Sequence, residues 1–282
     1  MKFALIGDIH GFWNRKDTEY FNASDYDALF FTGDLGRPRI SGSFLPKYNL
    51  SGLTKKAFLI PGNWDGTNIV GILGEVLNQK LLKRAGSLGY SGRMKAFAQT
   101  TRPIPMMGYS TAVLSEEKDL ALIVTRPHAM GNGFSFQANV NQHYLVSSME
   151  ESIIKLKKLI DSVKQENIFF LSHNGPKGLG SERTSIFGAD FLANGGDFGD
   201  EDLTAAISYA KEIGKKVPAV LSGHMHHFIS DLRKERESLV YTGGTFYING
   251  AKVPRIKHGK HFHTKIEWNG SSVTAIQLWE EL

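Results

Sequence analysis

The 282-residue sequence predicts a mixed α/β protein in which two mixed β-sheets pack together and helices flank them. Three observations carry this expectation. Five short apolar runs each end in a polar or glycine-rich cluster: KFALIGD, DALFFTGD, KAFLIPGN, NIFFLSHN and PAVLSGHMH. Helical periodicity lies between some of these runs, and a series of strand-like segments closes the chain.

Four to six apolar residues bounded by turn signals form the pattern of strands buried on both faces. Each run therefore delivers its polar cluster to the carboxyl end of a strand. Glycine-rich stretches at residues 84–105, 126–143 and 174–202 read as long loops, which in a compact domain are usually functional. The clearest helix carries Met149, Ile153, Leu156, Ile160 and Val163 at alternating spacings of four and three, with Ser148 and Glu151 as a capping box. A second helix runs from Leu203 through Ile207, Ala210 and Ile213 to a stop at Gly214, with Asp200 and Asp202 at its positive end. After it, SLVYTGG, TFYING, HTKIEWNG and SVTAIQLW alternate like strands, with Asn249-Gly250 and Asn269-Gly270 as turns. These are expected to form a second, mainly antiparallel sheet, so that residues 228–282 complete one domain spanning residues 1–282. No Pro/Ser linker divides the chain, and no repeat or low-complexity segment is evident.

Composition narrows the chemistry. No apolar run approaches the roughly eighteen residues that a bilayer span needs. The N-terminus turns acidic at Asp8 and lacks a small-residue cleavage site, so a cytoplasmic protein without membrane association is expected. With no cysteine, any metal must be held by imidazole, carboxylate, amide or water. A formal charge of +5 suits anionic ligands in general. The basic stretch at 233–265 reads as a solvated face, and sparse aromatic interleaving gives little support for a nucleic-acid groove.

Asp8 and His10 stand at i and i+2 after the first run, a spacing that lets both face one ion. Gly33-Asp34, Gly62-Asn63-Trp64-Asp65, Ser172-His173 and Gly223-His224-Met225-His226 occupy equivalent strand-to-loop positions, where open α/β sheets gather their ligands. The seven candidate ligands are thus Asp8, His10, Asp34, Asn63, His173, His224 and His226. Two divalent ions about 3.5 to 4 Å apart repel unless an anionic ligand lies between them, and Asp34 is the candidate bridge. Only two formal carboxylates among seven ligands leave such a centre net positive, which suits a phosphate anion and the acidification of water. Spacing does not say which histidine faces which ion. The mixed N/O donor set accommodates Mn, Fe, Zn, Co or Ni.

In order, Asp-x-His, Gly-Asp, Gly-Asn-x-Asp, a lone His and Gly-His-x-His resemble the motif series of the calcineurin-like metallophosphoesterases, from Asp8 to His226. The resemblance implies a four-layer αββα sandwich, with Asp8, His10 and His226 on one metal and Asn63, His173 and His224 on the other. It implies hydrolysis of a phosphoester by a hydroxide bound between the metals, with Asp34 and Asn63 among the working residues.

Trp64 stands where much of that family has a histidine that protonates the leaving group. Indole donates a hydrogen bond but transfers no proton at neutral pH. His128 and His227 are the candidate replacements. The missing histidine tilts the expected substrate toward a phosphodiester or an activated monoester, a small molecule with nucleotides among the candidates. Arg93, Arg102, Arg126 and Arg183 lie in the long glycine-rich stretches and are candidate phosphate contacts, Arg126 foremost. Phe12, Trp13 and Tyr90 are candidate stacking groups. Asp65 is expected to orient a neighbouring histidine. His258, His261 and His263 read as a surface cluster. The other readings are a phosphoesterase-fold scaffold with little or no turnover and a nuclease. Oligomeric state is not encoded in any motif.

Overall fold

A computed structural model describes residues 1–36, 50–131, 133–135 and 137–282. The order along the chain is β1 (Lys2–Ile6), α1 (Arg15–Ala23), β2 (Ala28–Phe31), β3 (Ala57–Leu59), α2 (Ile69–Val76), α3 (Lys80–Ser87), α4 (Tyr90–Thr100), β4 (Ser110–Ser115) and β5 (Leu120–Val124). Next come α5 (Gln137–Tyr144), α6 (Met149–Ser162), β6 (Asn167–Leu171), α7 (Glu201–Glu212), β7 (Lys216–Ser222), β8 (Phe228–Ile229) and β9 (Lys234–Glu235). The chain closes with β10 (Leu239–Thr242), β11 (Thr245–Asn249), β12 (Ile256–Lys257), β13 (Lys260–Trp268) and β14 (Val273–Glu281).

Two six-stranded sheets result. In the first, β12, β13, β1, β2 and β3 follow one another, with β14 also paired to β13. Its β1, β2 and β3 are parallel, and β13 runs antiparallel to β1. In the second, β10-β11-β7-β6-β5-β4, the four inner strands are parallel and each edge strand is antiparallel. The expected separate C-terminal sheet is therefore corrected: β10 and β11 extend the second sheet, while β12, β13 and β14 extend the first. Period-two alternation identifies strands but carries no information about which open edge they will join.

Alternate residues explain the layering. Phe3, Leu5, Phe30, Phe169, Leu171 and Leu221 meet between the sheets. Their neighbours Ala4, Ile6, Leu29 and Phe31 pack outward with Trp13 and with Phe21 of α1. On the far side Ile123, Phe170 and Val220 pack with Leu156 and Ile160 of α6 and Leu203 and Ile207 of α7. Both faces of each sheet are covered, which is why the central strands read as unbroken apolar runs. Ser148 Oγ accepts from Glu151 N at 3.2 Å, giving half of the expected capping box, but the Glu151 carboxylate takes Ser147 N at 2.7 Å instead.

Two of the three expected loops are partly helical. Residues 84–105 hold the end of α3 and all of α4, and the described part of 126–143 holds most of α5. Gly86 reads as a loop residue but serves packing, since a Cβ there would lie 2.2 Å from Gly71 Cα. Residues 174–202 form an irregular loop up to the start of α7. His261 and His263 are buried rather than surface residues. They point from β13 toward α1, where His261 Nδ1 lies 2.8 Å from Asp17 Oδ1 and His263 Nε2 lies 2.7 Å from the Tyr26 hydroxyl. Arg236 and Arg255, also in the supposed solvated stretch, are buried as well.

Candidate metal centre

All seven candidate ligands lie just beyond strand ends, on the edge where β1, β2, β3, β6 and β7 finish. Sharp turns aim them. Asp8, His10, Asp34 and His224 have φ of 37°, 43°, 49° and 68°. Such left-handed conformations in non-glycine residues cost about 1–3 kcal/mol each, and here they are held by the surrounding structure. Gly62 allows a close approach: a Cβ on it would sit 2.2 Å from Asp34 Oδ1 and 2.6 Å from His173 Cε1.

Two sets of donors converge. Asp8, His10 and His226 offer atoms all within 4.8 Å of one another, and so do Asp34, His173 and His224. Asn63 joins the second set, its Oδ1 2.7 Å from His173 Nε2 and 3.0 Å from His224 Nδ1. Asp34 Oδ2 reaches both sets, 3.8 Å from His10 Nε2 and 3.6 Å from His173 Nε2. In the first set His10 Nε2 and His226 Nε2 are 3.1 Å apart, and Asp8 Oδ2 is 3.4 Å from the latter.

The residues fit divalent cations. Asp8 Oδ2 is buried with no hydrogen-bond partner among the described residues, while its other oxygen accepts His224 N at 2.9 Å. Three imidazoles are oriented by backbone carbonyls: His173 Nδ1 is 2.6 Å from Thr32 O, and His10 and His224 bond to Gly36 and Met130. An N–H given to a carbonyl leaves the other ring nitrogen as a lone pair for a cation. Burial lowers His10 to about 4 and His224 to about 3, so both rings are neutral at pH 7. Burial and the nearby charges of Asp8 and Asp65 push Asp34 well above the usual carboxylate range, a repulsion that a shared cation relieves. Burial also raises Asp8, but the imidazoles of His226, His173 and His10 outweigh it and hold that carboxyl low.

Several neighbouring expectations are revised. Asp65 orients backbone, not a histidine: its carboxylate accepts from Gly62 N (2.9 Å), Asp34 N (2.7 Å) and Leu35 N (3.0 Å), locking two ligand loops together. His128 and His227 are buried and are not brought into either donor set. His128 has Nδ1 2.6 Å from Gly62 O and Nε2 2.7 Å from the Tyr90 hydroxyl. His227 has Nε2 2.8 Å from Asn249 O. Burial lowers both to about 4. Trp64 donates its backbone N–H to Asp34 Oδ1 at 2.8 Å.

Arg126 is buried against Asp202 and Asp200, so it is not a free phosphate contact. Arg93 is spent on the carbonyls of Gly66, Leu88 and Gly86, and Arg183 on Asp190 O and Asp231. Arg102 is exposed. Trp13 and Tyr90 are buried in the core, while Phe12 is half-buried. Sequence reasoning missed Arg236, whose Nε donates to His226 O at 2.7 Å within the last candidate ligand pair. Its place in a run of charged residues concealed it.

A search of the curated proteins finds no significant match. Among solved structures, the chain resembles a dimetal phosphatase from Danio rerio at 13% identity and TM-score 0.52, over 98% of each chain. It also resembles GAP50, the anchor in the inner membrane complex of Plasmodium, at 14% identity and TM-score 0.49, over 100% of this chain and 84% of the other. An archaeal phosphodiesterase matches at 11% identity and TM-score 0.38, over 99% and 100%. The first of these likenesses shows a shared fold. The family model for calcineurin-like phosphoesterases matches residues 1–228, and the chain belongs to that family.

Proposed function

We propose that this protein hydrolyses a small phosphoester at a dinuclear metal centre held by Asp8, His10, Asp34, Asn63, His173, His224 and His226. Family membership supports phosphoester hydrolysis in general. The observation that carries the finer reading is Asp34 Oδ2, set within 3.8 Å of a donor nitrogen from each of the two clusters. Two divalent ions would acidify a water between them and neutralise charge that develops on the phosphoryl oxygens.

The chain's own residues complete the arrangement. Neutral imidazoles keep the centre net positive, so an anionic ester is drawn to it. Asn63 Oδ1 supplies an uncharged donor that does not lower that positive charge. The Trp64 backbone N–H bonds Asp34 Oδ1 at 2.8 Å, while Oδ2 lies near His10 and His173 and would be available to cations held there. Both candidate proton donors, His128 and His227, already have ring nitrogens engaged by hydrogen bonds. This supports a leaving group that departs without a proton, as in an activated aryl ester, whether phosphodiester or monoester.

The test is a purified preparation loaded with Mn²⁺ and assayed on nitrophenyl mono- and diesters. Hydrolysis that is abolished by a chelator and restored by Mn²⁺ is expected, with the diester cleaved at least as well as the monoester. A strong preference for the monoester would contradict the substrate assignment, and no hydrolysis of either would contradict the reaction.

A further inference from the structure

Between the third ligand motif and β4, the chain forms a helical hairpin whose outward face is apolar. α2 and α3 pack closely because glycines meet at the contact: a Cβ on Gly86 would lie 2.2 Å from Gly71 Cα, and one on Gly74 would lie 2.5 Å from Lys83 N. That packing uses the small residues and leaves the large ones outside. Val70, Leu73, Val76 and Leu77 of α2 and its cap are exposed, as are Leu81 and Leu88 of α3 and its cap. Exposure reaches 83% at Leu81, 71% at Leu88, 65% at Val76 and 57% at Leu77. Residues 70, 73 and 77 share one helix face, and so do 81 and 88. A single exposed leucine is ordinary, but six large aliphatic side chains on one hairpin are not.

Charge identifies what covers this face. Residues 69–95 hold five cations (Lys80, Lys83, Arg84, Arg93 and Lys95) against one acid, Glu75, a net +4. Glu75 is paired with Lys83 at 3.0 Å, and Arg93 is taken up by backbone carbonyls. Lys80 and Arg84 are exposed on α3, Arg84 on the same face as Leu81 and Leu88, and Lys95 is exposed on α4. Protein interface cores are depleted in lysine, whereas leucine flanked by lysine and arginine is the composition of helices that lie in a bilayer interface. No helix among the described residues is long and apolar enough to cross a membrane.

We propose that the α2–α3 hairpin docks this protein on the surface of an anionic phospholipid bilayer. The aliphatic side chains enter the boundary between head groups and acyl chains, while Lys80, Arg84 and Lys95 meet the lipid phosphates. Hydrogen bonds tie the platform together: Asn68 Oδ1 caps α2 through Gly71 N at 2.8 Å, its Nδ2 reaches Gly86 O at 3.2 Å, and Arg93 Nε donates to Gly66 O at 2.6 Å. This inference does not depend on the reaction proposed above.

Vesicle co-sedimentation of the full chain tests it, comparing pure phosphatidylcholine with vesicles containing roughly one third phosphatidylserine. Binding to the anionic vesicles, weakened by high salt and absent on phosphatidylcholine, is expected. The double variant Leu81→Glu/Leu88→Glu should lower the vesicle-bound partition about tenfold or more. Both leucines are exposed, so its melting temperature should be unchanged. If that variant unfolds, Lys80→Glu/Arg84→Glu serves instead, with the same loss expected. Wild-type protein that ignores anionic vesicles, or folded variants that bind them as well as wild type, would overturn the proposal. So would a wild-type dimer that the leucine variant splits while no vesicle binding is seen, since a second copy would then cover the face. Absence of phosphoester hydrolysis would leave the vesicle result standing.

Discussion

Trp64 stands where the family resemblance implies a histidine at the leaving group, and its backbone N–H is committed to Asp34 Oδ1. Replacing the indole with an imidazole supplies a transferable proton without disturbing that backbone bond. Trp64→His should therefore speed hydrolysis of esters with poor leaving groups by about 10²-fold, while nitrophenyl esters, which need little protonation, change far less. Steady-state assays on alkyl and nitrophenyl phosphates would show the split, and equal effects on both would contradict it. The candidate ligands are legible because each follows an apolar run within a few residues, so a one-dimensional pattern places each just beyond a strand end. Asp65 was singled out but misassigned, since its three partners are backbone N–H groups of Gly62, Asp34 and Leu35, and the sequence offers no sign of where those donors point.

At the scale of elements, Arg126 shows how burial reverses a reading. Its Nε donates to Asp202 Oδ2 at 2.7 Å, and its Nη2 pairs with Asp200. Ser152 of α6 adds a bond to Asp202 Oδ2 at 2.5 Å, and Asn174, beside the candidate ligand His173, reaches Asp200 Oδ2 at 3.1 Å. The network joins the turn after β5, the loop after β6, α6 and the start of α7. Arg126→Ala would leave two buried carboxylates without a countercharge. It should destabilise the fold by about 3–5 kcal/mol in urea unfolding. A phosphate-binding arginine would instead raise KM at unchanged stability, so the two measurements separate the roles. Asp200 and Asp202 read from sequence as favourable helix-end charges, which they are, but nothing one-dimensional pairs them with a residue over seventy positions earlier. Helices α3 and α4 are masked in the sequence for a related reason. Glycines at 86, 89 and 92 resemble loop punctuation, yet Gly86 is there to admit Gly71.

Across the whole molecule, one geometric fact organises the site. Parallel strands β1, β2 and β3 in one sheet and β6 and β7 in the other finish on the same edge, so five separate motifs become neighbours. The two-sheet architecture was legible because strands buried on both faces leave long apolar runs. The division of the C-terminal strands between both sheets was not, since edge choice depends on which strand presents open backbone. The proposed chemistry turns on Asp34 joining two cation sites. Metal content, measured by elemental analysis after loading with Mn²⁺ and thorough desalting, tests this directly. Wild-type protein should retain about two ions per chain. Folded Asp34→Asn should retain about one or fewer, with phosphoester hydrolysis reduced at least about 10²-fold. An Asp34→Asn protein that keeps both ions and full activity would contradict the bridging role, and with it the dinuclear centre proposed for this chain.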